Sequence, residues 1–175
     1  MKKLILVLML APLFANAQMG KRDSLWLAFK PMIGKWTGEA EGKPGKGKSE
    51  RSYEFVLNAK FIEVKNKSAY PSSQSSRGEV REDRVFISYD KTRKTFVLRQ
   101  FRMEGFVSQY KIELISPDKK LIVFKSENIE NIPNGFRSRE IYQFVNENEF
   151  VETFEMADPG KDFEVYSKVR LKRVH

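Results

Sequence analysis

From Gly34 onward, apolar and polar residues alternate along the chain with a period of two, and short turn signals interrupt the alternation at regular intervals. Val85, Ile87 and Tyr89, for example, recur at every second position. This period is typical of β-strands that bury one face. Counting the alternating runs predicts about ten strands.

Tight turns join these runs in sequence, which predicts antiparallel neighbours in a meander. About ten such strands close naturally into an up-and-down barrel without free edges. The predicted fold class is therefore all-β, an antiparallel barrel whose interior is wide enough for a small molecule.

The segment that precedes the strands predicts a short helix over residues 23–29, because its apolar side chains recur with helical spacing. Asp23 or Ser24 can cap this helix. We expect it to lie across one mouth of the barrel, where Trp26 or Phe29 would fill the opening.

The N-terminus has the three parts of a secretory signal peptide: a positively charged start, an apolar run over residues 4–10, and an A-x-A cleavage site that ends at Ala17. The apolar run is too short to stay in a bilayer, so no transmembrane segment is predicted. We expect residues 1–17 to be removed and residues 18–175 to form one barrel domain. The mature protein would be exported, to the periplasm or the medium.

Composition excludes several kinds of chemistry. The chain has no cysteine, and its one histidine is the terminal His175. Thiol nucleophiles, disulfides, His/Cys zinc sites and histidine-centred triads are therefore excluded. We expect a binding protein without catalytic residues or a metal, rather than an enzyme.

The formal net charge of +9 falls by two, to +7, when Lys2 and Lys3 are removed with the signal peptide. An exported protein this basic can meet anionic lipid or glycan at its surface. Nucleic acid is not expected as a partner, because export separates the chain from it.

Residues 34–36, Gly-Lys-Trp, resemble the Gly-x-Trp signature of calycins, the superfamily of lipocalins and fatty-acid-binding proteins. The longer pattern G-x-W-x-G-E-x-x-G over residues 34–42 looks like the opening of nitrobindin-like haem-binding barrels and of related uncharacterised bacterial barrel families. Residues 87–90 are similar to the mid-barrel hairpin of those relatives. The resemblance implies a calycin-like barrel over residues 18–175.

The resemblance to lipocalins implies how the barrel closes. In that family the Trp packs beneath a basic residue near the end of the last strand, in a cation–π contact. Arg173 continues the apolar phase of the last strand, so we pair Trp36 with Arg173 in preference to Arg170.

The resemblance to nitrobindin implies haem held by a histidine on a late strand, and chemistry on reactive nitrogen species. This chain departs from that pattern, because the corresponding region, Glu164–Ser167, contains Tyr166 and no histidine. Tyrosine can ligate haem, so a haem protein is kept as an alternative, although no cofactor is predicted.

Two acidic residues on late strands, Glu140 and Glu152, stand in phase with apolar neighbours. If that face points inward, two carboxylates enter the barrel and need partners. Such a cluster either orients a ligand or is a structural network in a filled barrel, and the sequence leaves both interpretations open. The predicted ligand-binding residues are Tyr53, Phe55, Tyr89, Gln100, Arg102, Tyr110, Glu140, Tyr142, Glu152 and Phe154.

For the strand after residue 94, the sequence also leaves open which of the two alternating sets of side chains faces the barrel interior. Either Gln100 and Arg102 point inward together with Phe96 and Leu98, or the alternate set that contains Phe101 does, because both sets are equally apolar.

We predict an exported, non-enzymatic barrel that binds a small apolar or amphipathic molecule. The alternatives are a nitrobindin-like haem protein and an envelope protein that acts through its basic surface.

Overall fold

The structure, a computed structural model, describes residues 24–72 and 77–175. Its ten strands follow one another around a closed antiparallel barrel, and the last strand pairs with the first. The strands are β1 (Gly34–Gly42), β2 (Gly47–Val56), β3 (Phe61–Tyr70), β4 (Glu79–Asp90), β5 (Thr95–Arg102), β6 (Val107–Ile115), β7 (Leu121–Ile129), β8 (Arg137–Asn146), β9 (Glu149–Ala157) and β10 (Glu164–Arg173). The prediction of an all-β antiparallel barrel is confirmed, whereas the predicted signal peptide lies outside the described residues.

The predicted N-terminal helix at a barrel mouth is not supported. Within the described residues only Ser24 and Leu25 are α-helical, and turns over residues 26–29 lead into a 3-10 turn, Lys30–Met32. The amides of Phe29 and Lys30 both donate to the carbonyl of Trp26, at 2.9 and 3.0 Å. Pro31 has no amide hydrogen, which disfavours a longer helix beyond this point.

Exposure along β5 decides the phase that the alternation left open. Phe96, Leu98 and Gln100 are buried. In the alternate set Val97 is also buried, but Phe101 and Met103 are 44% and 60% exposed. The barrel therefore buries the Gln100 phase, because only one face of each strand can line the interior.

The barrel closes between β1 and β10. Trp36 lies opposite Arg173 in the register, and the Arg173 guanidinium carbon is 4.1 Å from the centroid of the Trp36 ring. Arg173 also donates to the carbonyl of Ile33 at 2.8 Å. Arg170, by contrast, has an exposed side chain beside Glu149 on the outer face.

Aromatic side chains fill the interior next to this closure. The Trp36 indole donates to the carbonyl of Met32 at 2.7 Å. Its ring meets Phe150 edge-on at 4.7 Å, and Phe150 also contacts Tyr53 and Phe144, at 6.0 and 5.5 Å between ring centroids. This part of the barrel is a packed hydrophobic core.

Candidate functional site

Elsewhere in the interior the inward positions are polar. The buried polar and charged residues are Ser49, Arg51, Ser68, Gln100, Ser108, Ser138, Glu140 and Glu152. The register adds three half-buried residues to this group, because Arg51, Asn66, Asp83 and Arg102 are successive cross-strand neighbours on β2, β3, β4 and β5. We call these inward polar side chains, with their tyrosine partners Tyr53, Tyr110 and Tyr142, the polar cluster.

Arg51 and Glu152 form a buried ion pair within the polar cluster. The Nε and Nη2 atoms of Arg51 lie 3.0 and 2.9 Å from Oε2 of Glu152. The Tyr53 hydroxyl donates to Oε1 of the same carboxylate at 3.0 Å. The remaining nitrogen of Arg51, Nη1, donates to the carbonyls of Glu50 and Lys67 and to Ser68 Oγ, at 3.0, 3.3 and 3.2 Å. Both charges are thus fully partnered, as burial requires.

Arg102 and Glu140 form a second, looser pair. Arg102 Nη2 is 3.6 Å from Oε1 of Glu140, which is beyond a normal hydrogen bond. The same nitrogen donates to Gln100 Oε1 at 3.1 Å, and the guanidinium carbon lies 4.5 Å from the centroid of the Phe154 ring. Tyr110 links this pair to the barrel wall, because its hydroxyl donates to Gln100 at 3.4 Å.

Burial dominates the electrostatics of the polar cluster. Loss of solvent raises the pKa of Glu140 to about 8, and nearby Arg102 only partly offsets this effect. Burial also raises the pKa of Asp83, and it raises the pKa values of Tyr53 and Tyr142 well above the usual range for tyrosine. At neutral pH Glu140 is therefore mostly a neutral acid that can donate a hydrogen bond.

A cavity of about 70 Å³ lies within the polar cluster and reaches Pro44 in the β1–β2 loop. Arg102, Glu140 and Asn66 are among its lining residues. The Oδ1 atom of Asn66 is buried and has no hydrogen-bond partner among the described residues. Ligand pockets for drug-sized molecules are about 300–1,000 Å³, so this cavity fits only a small polar group.

The structure brings six of the ten predicted ligand-binding residues to this cavity: Gln100, Arg102, Glu140, Tyr142, Glu152 and Phe154. Tyr53 and Tyr110 do not line it, but their hydroxyls bond to Glu152 and Gln100. Phe55 and Tyr89 lie away from the cavity, and Tyr89 packs against Phe96 at 5.1 Å.

The sequence reasoning missed the four serines of the polar cluster and three of its charged or amide members, Arg51, Asn66 and Asp83. Arg51 stands two residues before Tyr53, and Asp83 stands two residues before Val85, so both share the inward phase. Asn66 shares it with Val64. The period-two pattern contained all three, but a polar residue at a strand position is ordinarily assigned to the solvent face.

The cavity in the polar cluster does not fit a haem. The cavity is smaller than a macrocycle, and Tyr166, the candidate axial ligand, is half-buried with its ring 5.6 Å from Phe154. His175 is exposed after the end of β10.

Within residues 24–72 and 77–175, no group of three or more His, Cys, Asp or Glu side chains could hold a metal ion. No helix in the same ranges is long and apolar enough to cross a membrane.

The chain is similar in fold to a crystal structure of Rv2717c from M. tuberculosis, with a TM-score of 0.62 and 12% sequence identity over 86% of this chain and 97% of that chain. A de novo designed fluorescence-activating β-barrel aligns with a TM-score of 0.40 and 11% identity over 81% of this chain and 93% of the design. No family model matches the chain, and no curated protein matches it. The ten-stranded closed barrel is compatible with a calycin-like barrel, and at this identity the similarity to Rv2717c shows the fold alone.

Proposed function

We propose that this protein is an exported, non-enzymatic, calycin-like barrel that binds a small amphipathic or polar molecule through its polar cluster. The polar group of the ligand occupies the 70 Å³ cavity. Tyr70 and Tyr166, which are half-buried and line the cavity, supply aromatic surface for the rest of the ligand.

One observation favours a ligand over a purely structural network. In a filled barrel the buried polar groups satisfy one another. Here Asn66 Oδ1 has no partner among the described residues, and the Arg102 and Glu140 side chains are 3.6 Å apart without a hydrogen bond. These groups line a common cavity, so they are available to a bound molecule.

The ligand differs from the large apolar molecule that an open lipocalin-like interior would admit. The aromatic side chains around Trp36 already fill the apolar part of the barrel. Only the polar group of an amphipathic ligand can therefore enter. Chemistry on reactive nitrogen species receives no support from the polar cluster, because its cavity is too small for a haem.

No specific observation favours the basic surface as the main functional feature. Some of the outward basic side chains pair with neighbouring acids: Lys67 lies 3.5 Å from Glu82, and Arg93 lies 2.9 Å from Glu127. Binding to anionic lipid or glycan stays a prediction, and strong salt-sensitive binding to anionic vesicles would support it.

Native mass spectrometry tests the proposed function. The mature protein is purified gently from a bacterial envelope, and its mass is compared with that of Arg102→Gln and of Arg99→Gln. Arg99 is a matched control, because it lies on the same strand and outside the Gln100 phase. We expect a small non-covalent adduct on the wild type and on Arg99→Gln that is lost from Arg102→Gln.

A bare protein mass for all three proteins, unchanged after incubation with an envelope extract, would contradict a ligand-binding role. Adding haem to the same samples tests the haem-binding alternative separately, and we expect no Soret band. The mass of the bare protein also tests export, because cleavage after Ala17 leaves a chain that begins at Gln18.

A further inference from the structure

We propose that the polar cavity is an anion site, in which a small oxyanion such as a carboxylate binds Arg102 in place of Glu140 and binding is coupled to protonation of Glu140. This inference rests on the proposed function and names the chemical class of the ligand's polar group. Its experiment is chosen so that the two proposals can fail separately.

Arg102 is the group that can receive an anion. A guanidinium has five N–H donors, and the Arg102 side chain is 20% exposed. One bond goes to Gln100 at 3.1 Å, and Tyr110 is a further partner. Donors remain on this guanidinium, whose carbon lies 4.5 Å from the centroid of the Phe154 ring, and its fork suits two oxygens of one oxyanion.

Two further arginines line the cavity. Arg81 is paired with Glu79 at 2.9 Å, and Arg51 is already saturated. Its Nε and Nη2 atoms bind Glu152, and its Nη1 atom donates to three oxygen acceptors. Its side chain is only 7% exposed. The charge of Arg51 is therefore neutralised within the cluster, whereas the charge of Arg102 depends on the state of Glu140.

The surroundings of Glu140 favour the neutral acid. It faces charged groups from four strands: Arg51 on β2, Asp83 on β4, Arg102 on β5 and Glu152 on β9. The phenols of Tyr53, Tyr110 and Tyr142 also face it. Burial raises its pKa to about 8, so at neutral pH it leaves Arg102 without a full counter-charge.

A small oxyanion completes this arrangement. It accepts hydrogen bonds from Arg102 and from the protonated carboxyl of Glu140, which acts as a donor. The volume of about 70 Å³ holds roughly two water-sized groups, since a water takes about 30 Å³ in the liquid, and that is the size of a carboxylate. Asn66 Oδ1 then accepts from a hydroxyl of the ligand or from a co-bound water.

Glu140 and the anion compete for Arg102, and this competition sets the direction in which pH changes the affinity for the anion. Below a pH of about 8 the Glu140 carboxyl is protonated and no longer supplies a counter-charge to Arg102, so the anion can take its place, although Asp83 still faces the guanidinium. Above that pH Glu140 ionises, pairs with Arg102 and repels the anion. The apparent Kd should rise by up to about tenfold for each pH unit above the pKa of Glu140, because binding then requires uptake of one proton.

The experiment titrates acetate into the mature protein at pH 6.5, 7.5, 8.5 and 9.5 at constant ionic strength, with binding followed by carbon NMR shifts of the Arg102 Cζ atom, which does not exchange with water. Acetamide, which has the same shape without the charge, is the control ligand. We expect acetate to bind and to weaken above pH 8, and acetamide not to compete with it.

Variants test whether Arg102 binds the anion and whether Glu140 causes the pH dependence. Glu140→Gln keeps a neutral donor and should bind acetate with the same Kd across this pH range. Arg102→Gln should lose binding, and Arg99→Gln should behave as the wild type. If Arg102→Gln does not fold, Arg102→Lys keeps the charge without the fork and should bind acetate at least several-fold more weakly.

Three results would overturn the anion site: acetate and acetamide bind alike, Arg102→Gln keeps acetate affinity, or Glu140→Gln retains the pH dependence of the wild type. A neutral adduct in native mass spectrometry combined with no acetate binding would refute the anion site and leave the proposed function standing. Acetate binding that follows the expected pattern, with no adduct from an envelope extract, would support the site and contradict an envelope-derived ligand.

Discussion

Removal of the Glu152 carboxylate should destabilise the barrel far more than removal of an exposed acid. Glu152 accepts from Arg51 at 2.9 and 3.0 Å and from the Tyr53 hydroxyl at 3.0 Å. The side chains of Arg51 and Glu152 are only 7% and 9% exposed. In Glu152→Leu the guanidinium stays buried without a counter-charge, and the phenol loses its acceptor.

The expected loss in free energy of unfolding is about 3–5 kcal/mol, the usual effect of breaking a buried ion pair from one side. In a chain of this size each kcal/mol lowers Tm by about 2–4 °C, so the variant should melt roughly 6–20 °C below the wild type. Replacing both partners removes the uncompensated charge. Arg51→Met combined with Glu152→Leu should therefore be close to neutral, or more stable than the wild type by about 1–4 kcal/mol.

Urea unfolding at pH 7, followed by tryptophan fluorescence, measures the two single variants and the double variant as a cycle. Glu164→Gln is the matched control, because the Lys43–Glu164 pair is 58% and 71% exposed and should contribute little. A loss below about 1 kcal/mol for Glu152→Leu, or a double variant that loses the sum of the two single effects, would refute the reasoning.

Three further predictions concern the closure and the polar cluster. Gly38→Ala should prevent folding or lower stability by more than about 3 kcal/mol, because the added Cβ would overlap the carbonyl oxygen of Arg170 on the paired strand; thermal melting measures this. Arg173→Met should lower stability by roughly 2–4 kcal/mol and shift Trp36 fluorescence, because it removes the cation–π contact and the hydrogen bond to a backbone carbonyl. Glu140→Gln should be stabilising at pH 9 relative to the wild type and nearly neutral at pH 5, as urea unfolding at the two pH values would show.

The sign of the Glu140 effect follows from its raised pKa of about 8. The unfolded chain releases the proton near the ordinary pKa of a glutamate, so the folded protein loses stability as pH rises from there to about 8, by about 1.4 kcal/mol for each pKa unit. Equal stabilities of the variant and the wild type at both pH values would contradict a raised pKa. Thr37→Ala is the control for Gly38→Ala. Thr37 lies next to Gly38 on the outer face, so this variant should melt like the wild type.

Local pattern was sufficient for the strands. Ile62 and Val64 alternate with Glu63 and Lys65 because one face of β3 is buried, and this is visible without tertiary information. The same reasoning placed Glu140 and Glu152 with inward-facing neighbours, and both line the cavity. It failed for the N-terminal segment, where apolar spacing alone predicted a helix but the chain forms turns that end in a 3-10 turn at Pro31.

Other features depended on the closed barrel. Two equally apolar phases on β5 could be distinguished only by their neighbours, since Gln100 bonds to Asp83 and receives a hydrogen bond from Tyr110 on adjacent strands. Arg51 escaped detection for the same reason, because a buried arginine is recognisable only when its carboxylate, 101 residues away, is known.

The sequence by itself determined the strand order, the alternation and the residue types that exclude cysteine and histidine chemistry, because these depend on neighbours along the chain. The tertiary structure decided that aromatic side chains fill the interior around Trp36 and that the polar inward residues enclose a cavity of about 70 Å³. Volume, burial and the pairing of Arg102 with Glu140 arise between strands that are distant in sequence. No periodicity along one strand encodes them, since they depend on register and closure around the whole barrel.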